Sequence, residues 1–238
     1  MAVFGFFQGV GLIRWGQSSM IQLDRHLLFL INHAWTHPAL DRVLGVLSCL
    51  DFWVPLMVVG GVWFMARRGM AGVACLLLCG LGVLVNETLV AQPLKHWTAR
   101  PRPYQSEAGI RRVDLAPGKP RVLSLFKPLS IQTVAEPDQN GTRRSFPSAH
   151  TLNAMTLGLV LARFLRSRIW WGLPPMMAWS RVYTGSHWPS DVLASLLLGF
   201  LLTQALLLLA RKAAHHGVFP LRHAKEQLEP APNNSSVS

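Results

Sequence analysis

Between Val192 and Ala210 the chain runs for 19 residues without a charged side chain. As a helix such a run is about 28 Å long, close to the ~30 Å hydrocarbon thickness of a bilayer. Further apolar runs precede it. Val43 to Ala66 is broken only by Asp51, and Met70 to Leu94 only by Glu87. Ser148 to Leu165 is a third, and Ile169 to Thr184, with Pro174-Pro175 inside it, a fourth. Half of the 238 residues are apolar, 14% are charged, and the mean hydropathy is +0.29. A soluble domain carries about 25% charged residues, and disordered chains need more charge and fewer large apolar groups. The expected fold is all-α, a polytopic membrane helix bundle of five transmembrane helices, or six if part of residues 1–35 also crosses.

Leu23 to Trp35 is too short to span and suits an interfacial helix. No basic residue precedes the apolar start "MAVFGFFQGVGLI", so a cleaved signal peptide is not expected. Arg67 and Arg68 join runs one and two, Arg163, Arg166 and Arg168 join three and four, and Arg211 and Lys212 follow the fifth. Short basic connections stay in the cytoplasm, which puts the segments His96–Pro147 and Arg181–Asp191 outside. The expected division is an N-terminal interfacial region (1–42), a transmembrane domain (43–210) with an external loop (96–147), and a cytoplasmic, largely disordered tail (211–238). Cys49, Cys75 and Cys79 lie in apolar stretches and read as packing residues. Asn140-Gly-Thr fits a glycosylation acceptor, a triplet common by chance.

The formal charge is +12. Anionic lipid, phosphate substrates or nucleic acid would each suit such a bias, and positive-inside topology accounts for part of it. The unusual polar chemistry sits in two external connections. "LKHWTARPRPY" opens the first, "RRSFPSAHT" closes it, and "SRVYTGSHWPSD" is the second. Singly, Lys95 reads as a snorkelling lysine, Arg100 and Arg102 as loop solubility residues, and Asp191 as a first-turn acid. On one side of a membrane they form a set for phosphate chemistry. Pro147 suits the first position of a helix, leaving the N–H groups of Ser148 and Ala149 as an anion site. Lys95, Arg102 and Arg181 add permanent cations. Pro189 favours a second helix start, from which Asp191 reaches back to His187. A carboxylate on one imidazole nitrogen fixes the tautomer and leaves the other free to attack. His150 is placed to protonate a leaving oxygen. No Cys/His/Asp/Glu group has metal-ligand spacing, so neither metal nor other cofactor is expected. Asp51 and Glu87 lie outside these clusters, and Glu87 reads as a packing residue rather than a lipid head-group contact.

Lys95-x6-Arg102-Pro103, Pro147-Ser148-Ala149-His150 and Ser180-Arg181-x5-His187-x3-Asp191 resemble, in order and spacing, the three-part signature of the type-2 phosphatidic acid phosphatase superfamily of lipid phosphate phosphatases. The resemblance extends over roughly residues 20–210. Ala149 departs from it, standing where the family usually has glycine; its N–H remains, and alanine suits a first helical turn. The resemblance implies that His187 is the nucleophile, forming a phosphohistidine, with Asp191 orienting it and His150 as the acid. Lys95, Arg102, Ser148, the Ala149 amide and Arg181 would hold the phosphoryl oxygens, the cations doing the work of a metal ion. The family's soluble haloperoxidase relatives bind vanadate in the same site, an activity the membrane spans argue against.

The implied function is a lipid phosphate phosphatase at the outer face of a bacterial inner membrane, with a lipid phosphate and membrane lipids as partners and no nucleic acid. Undecaprenyl diphosphate, lipid A, phosphatidylglycerophosphate and phosphatidic acid are the substrates the family suggests. The short interfacial segment ahead of five spans leans toward the first, and the large basic loop toward lipid A. A non-enzymatic transporter or binder would use the cations but not His150 or the His187–Asp191 pair. Arg111, Arg112, Lys119 and Arg121 in that loop are expected to read the substrate's head group, with Val122–Phe126 dipping into the interface.

Overall fold

The structure is a computed structural model that describes residues 21–116, 127–138 and 141–229. Residues 21–29 form α1, which ends in a π-turn, Leu30–Ala34. Asp24 and Leu28 are buried while Ile21 and Leu23 are exposed, so one face of α1 is laid on the rest of the chain.

Pro38–Ser48 is α2, started by Pro38 in its first turn and by the His37 Nδ1, which accepts from the Ala39 N–H at 3.2 Å. Cys49 then takes an extended conformation (φ −94°, ψ 95°) and separates α2 from α3, Leu50–Val85. The first apolar run is therefore two helices, not one from Val43 to Ala66. Both sides of the break are equally apolar, so hydropathy carries no trace of it.

Within α3, Gly69 is non-helical (φ 54°, ψ −134°). Only glycine enters such a conformation at little cost. The chain reverses there, and the arms 50–68 and 70–85 pack so closely that a Cβ on Gly72 would lie 3.0 Å from the Phe64 carbonyl oxygen. The expected Arg67–Arg68 loop is thus a one-residue turn. The second arm passes through a π-turn, Asn86–Ala91, into α4, Gln92–Thr98, which carries Lys95.

The segment between α4 and the next long helix is not simple loop. It contains α5, Pro103–Ser106, and an antiparallel pair of strands, β1 (Arg111–Asp114) and β2 (Ser130–Thr133), with Arg111 opposite Thr133. The fold is therefore mostly helical rather than strictly all-α.

Ala149–Leu165 is α6; a 3-10 turn, Arg168–Gly172, leads into α7, Leu173–Tyr183. Pro174 and Pro175 lie in the first turn of α7, where a missing N–H leaves no bond unmade, and not mid-helix as the sequence suggested. Pro189–His215 is α8. Residues 216–229 fold back through a 3-10 turn, Leu221–Ala224, and α9, Lys225–Leu228. Ala224 and Leu228 are buried against Cys75, Cys79, Phe164 and Ala210. That burial corrects the expected disordered tail up to Glu229; residues 230–238 lie outside the described residues, as does Asn140.

Polar links cross the apolar core. Asn86 donates to Asn153 (3.2 Å) and Thr156 (3.0 Å), Thr156 pairs with Thr203 (3.0 Å), and Asn153 donates to Glu87 (2.8 Å). Side-chain bonds of this kind fix helix registry where lipid supplies no hydrophobic drive between helices. Among the described residues two stretches are long and apolar enough to cross a membrane: Asp51–Thr98, folded at Gly69, and Pro189–His215. Their most apolar windows are only 33% and 28% buried, with Val58, Leu84, Leu197 and Leu208 on the outside. A core helix of a soluble protein would be covered; these present apolar faces outward.

Candidate active site

The three motif segments meet at one end of the helices. Backbone pairing begins the assembly: Ser145 N–H donates to the Arg100 carbonyl (2.8 Å), and Pro101 bridges Arg144. This lays "ARPRP" beside the chain entering α6. Trp188 Nε1 donates to the Pro101 carbonyl (3.0 Å), which ties the third segment to the first.

Ser148 is the N-cap of α6, and the helix starts at Ala149. Pro147 therefore precedes the cap instead of occupying the first helical position. The Ser148 N–H is not a free donor, since it bonds Ser195 Oγ on α8 at 2.9 Å, and the Ser148 hydroxyl accepts from Thr151 (2.9 Å). Pro189 does occupy the start of α8, with Trp188 as N-cap.

Around His187, which is 1% exposed, the expected cations converge. Burial holds its imidazole well below the usual histidine range, and the charges of Arg181, Arg102, His150 and Lys95 each push it the same way. All four groups thus act on one ring. Arg102 is itself lowered by burial and by neighbouring arginines. Its Nε donates to the Arg144 carbonyl at 3.3 Å. Arg181 is buried on the last turn of α7; one terminal nitrogen reaches the Ser48 carbonyl (3.4 Å), and its Nε has no hydrogen-bond partner in the protein. Arg102, His150 and Arg181 line a cavity of about 370 Å³.

The sequence reading placed Asp191 on His187 directly. The two are close, Nδ1 to Oδ2 being 3.9 Å, but too far apart to share a hydrogen bond, and His187 Nδ1 is buried without a partner. Asp191, 0% exposed, is held by other groups. Oδ1 accepts from Arg100 (2.6 Å), and Oδ2 from the Ser145 hydroxyl and the Trp188 N–H (3.1 Å). Arg100 in turn donates to Asp24 on α1 (2.5 Å), which also accepts from the Ser190 N–H (2.8 Å) and hydroxyl (2.5 Å). The guanidinium lies 5.3 Å over the Trp188 ring.

Arg100, Asp24, Ser145 and Ser190 are the residues that sequence reasoning missed. Arg100 read as a solubility residue because its partners are 76 and 91 positions away. A usable signal was present in Asp24, the one acid in the interfacial segment Leu23–Trp35. Among the described residues no group of three or more His, Cys, Asp or Glu could hold a metal ion.

The profile of the PAP2 superfamily matches residues 72–214. The chain belongs to that superfamily. A lipid A 4'-phosphatase of Porphyromonas gingivalis is 23% identical over 188 residues, covering 76% of this chain and 70% of the relative. A provisionally named undecaprenyl-diphosphatase of Escherichia coli K12 is 42% identical over 62 residues, 24% of this chain and 30% of that protein. The crystal structure of LpxE from Aquifex aeolicus shares the PAP2 fold at 22% identity with a TM-score of 0.52, covering 78% of this chain and 94% of that one. A PAP2-type phosphatidylglycerolphosphate phosphatase from Bacillus subtilis superposes with the same identity and TM-score, over 85% and 89%.

Proposed function

We propose that this PAP2 protein is an integral membrane phosphatase that removes a terminal phosphate from a lipid through a phosphohistidine on His187. The observation that carries the proposal is that Arg102, His150 and Arg181 line one cavity, while His187 is buried with a carboxylate 3.9 Å from its Nδ1. In this reading Lys95, Arg102, Arg181, Ser148 and the Ala149 N–H hold the phosphoryl oxygens and offset the charge that develops in transfer. His187 attacks through Nε2, the nitrogen away from Asp191. His150 gives a proton to the leaving oxygen and takes one from the water that later hydrolyses the phosphohistidine.

The topology proposed with it has five crossings: residues 50–68, 70–98, 149–165, 168–183 and 189–215. Residues 1–42 form the interfacial region, 43–210 the phosphatase domain, and residues from 211 onward the cytoplasmic tail. Placing the basic Gly69 turn and the α6–α7 connection in the cytoplasm puts the site on the external face of a bacterial inner membrane.

For the substrate two readings have support. The 62-residue match favours undecaprenyl diphosphate, and the longer match favours a lipid A phosphate. Phosphate release from both lipids and from phosphatidic acid, by purified protein in excess EDTA, tests the function. Turnover that survives EDTA and disappears in His187→Gln is expected. No release from any lipid, or release that needs added Mg²⁺, overturns the reading.

A further inference from the structure

The cavity is larger than a phosphate needs. At about 370 Å³ it falls in the range of sites that take a whole small molecule. Arg102, His150 and Arg181 form its phosphate side. Its remaining charged wall is Arg112, Arg143, Asp114 and Asp51. These come from β1, from the chain entering α6, and from the first turn of α3, three elements outside the phosphate motifs.

The charges on that wall balance. If a phosphate dianion is matched by Lys95, Arg102 and Arg181, the other part of the cavity keeps two guanidinium groups and two carboxylates. A second phosphate there would face Asp51 and Asp114 across a locally neutral surface, with like-charge repulsion to overcome. A hydroxyl-rich group suits it better. Each hydroxyl can donate to a carboxylate and accept from a guanidinium, so a mixed wall satisfies both of its functions. Arg112 is positioned for this, its guanidinium stacked 4.9 Å over the Tyr104 ring.

The neighbouring Arg111 makes the contrast. Its guanidinium is turned away and paired bidentately with Asp41 at 3.0 and 2.9 Å. The expectation that Arg111 and Arg112 both read a head group therefore holds for one of them at most, while Lys119 and Arg121 lie outside the described residues.

We infer that Arg112, Arg143, Asp114 and Asp51 form a head-group subsite, selecting a phosphate monoester borne on a polyhydroxylated head group over a lipid diphosphate. The inference rests on the lipid phosphatase reading and adds the class of substrate to it.

The test compares three lipids with the full chain in mixed micelles: a glycolipid with a phosphorylated glucosamine head group, phosphatidic acid, and a polyprenyl diphosphate. For each of Asp114→Asn, Arg112→Gln and Arg143→Gln, the readout is the ratio of kcat/KM for the glycolipid to that for phosphatidic acid. Because both lipids are measured on one preparation, the ratio is unaffected by the fraction that folds. A fall of at least fivefold in at least one variant is expected, with the diphosphate the poorest wild-type substrate. Ratios that stay within fivefold of wild type in every variant, or a diphosphate that ranks first, would overturn the subsite while leaving the phosphatase reading intact. Failure of the wild type to release phosphate from all three would sink that reading instead.

Discussion

Charge pairs of nearly equal length occupy the two ends of the helix bundle, in very different surroundings. At the end that holds the three motifs, Arg100–Asp24 (2.5 Å), Arg100–Asp191 (2.6 Å) and Arg111–Asp41 (2.9 Å) bury their acids to 7% exposure or less. At the opposite end, Arg166–Glu226 (2.8 Å) leaves its side chains 65% and 76% exposed. Distance alone would rank these alike. Desolvation separates them: an exposed pair trades water for a partner at little gain, whereas losing one member of a buried pair strands a charge where water cannot reach it. The motif end is therefore where single substitutions are costly, and one of its buried acids, Asp191, lies beside His187.

The largest effect expected is for His187→Ala. With the imidazole that accepts the phosphoryl group removed, kcat should fall by about four orders of magnitude, with the elution volume in gel filtration unchanged. Activity within tenfold of wild type would remove His187 from the chemistry.

Arg100→Gln comes next, since it deprives two buried carboxylates of their partner. A stability loss of about 3 kcal/mol is expected, together with a drop in kcat of about 10–100-fold from a mis-set Asp191. A double-mutant cycle with Asp24→Asn measures the coupling; additive losses would mean that the two residues act independently.

Arg111→Gln should separate stability from catalysis. It leaves Asp41 bonded to the Tyr183 hydroxyl (2.7 Å) but without its cation, and it frees the Asn32 carbonyl that Arg111 also holds (3.2 Å). The stability read from the thermal midpoint should drop by an amount comparable to Arg100→Gln, about 3 kcal/mol, while kcat per folded molecule stays at the wild-type level. An equal drop in kcat would show that this pair belongs to the site.

Acid gives a smaller, graded effect. His187 is held well below the ordinary value of about 6.5. Above pH 6.5 both folded and unfolded imidazoles are neutral and nothing is gained or lost. Below it the unfolded chain binds a proton that the folded chain refuses, so stability falls by about 1.4 kcal/mol per pH unit until the folded value is reached. The wild type should lose more than His187→Gln between pH 6.5 and 5; parallel curves would contradict the lowered imidazole. At the far end of the scale, Arg166→Ala should cost no more than about 0.5 kcal/mol, as read by the same thermal midpoint.

Much of this site was legible as text because its parts are local. Three short strings, each within ten residues or so, carry the cations, both histidines and the acid, and the structure brings all three to one end of the helices. What the text hid depends on contacts between strings. Asp191 was assigned to His187 because they sit one helical turn apart; the structure gives that carboxylate to Arg100, Ser145 and the Trp188 amide. The break at Cys49 was hidden by uniform apolarity, and the strands by a loop whose polar composition suits either state. The ordering of residues 216–229 rests on a few scattered apolar anchors, Pro220, Leu221, Ala224 and Leu228, too few to stand out from a polar tail.

The contact between Asp24 and Ser190 spans 166 positions. During synthesis α1 emerges from the ribosome well before Ser190, which it clasps and which is made 166 residues later. The first helix formed is thus among the last to be locked, and until then Arg100 lacks half of its support. A chain can carry every motif letter intact and still be disarmed by an N-terminal fusion or an early start codon that displaces α1. For anyone expressing or engineering this protein, α1 is as much a part of the enzyme as the motifs themselves.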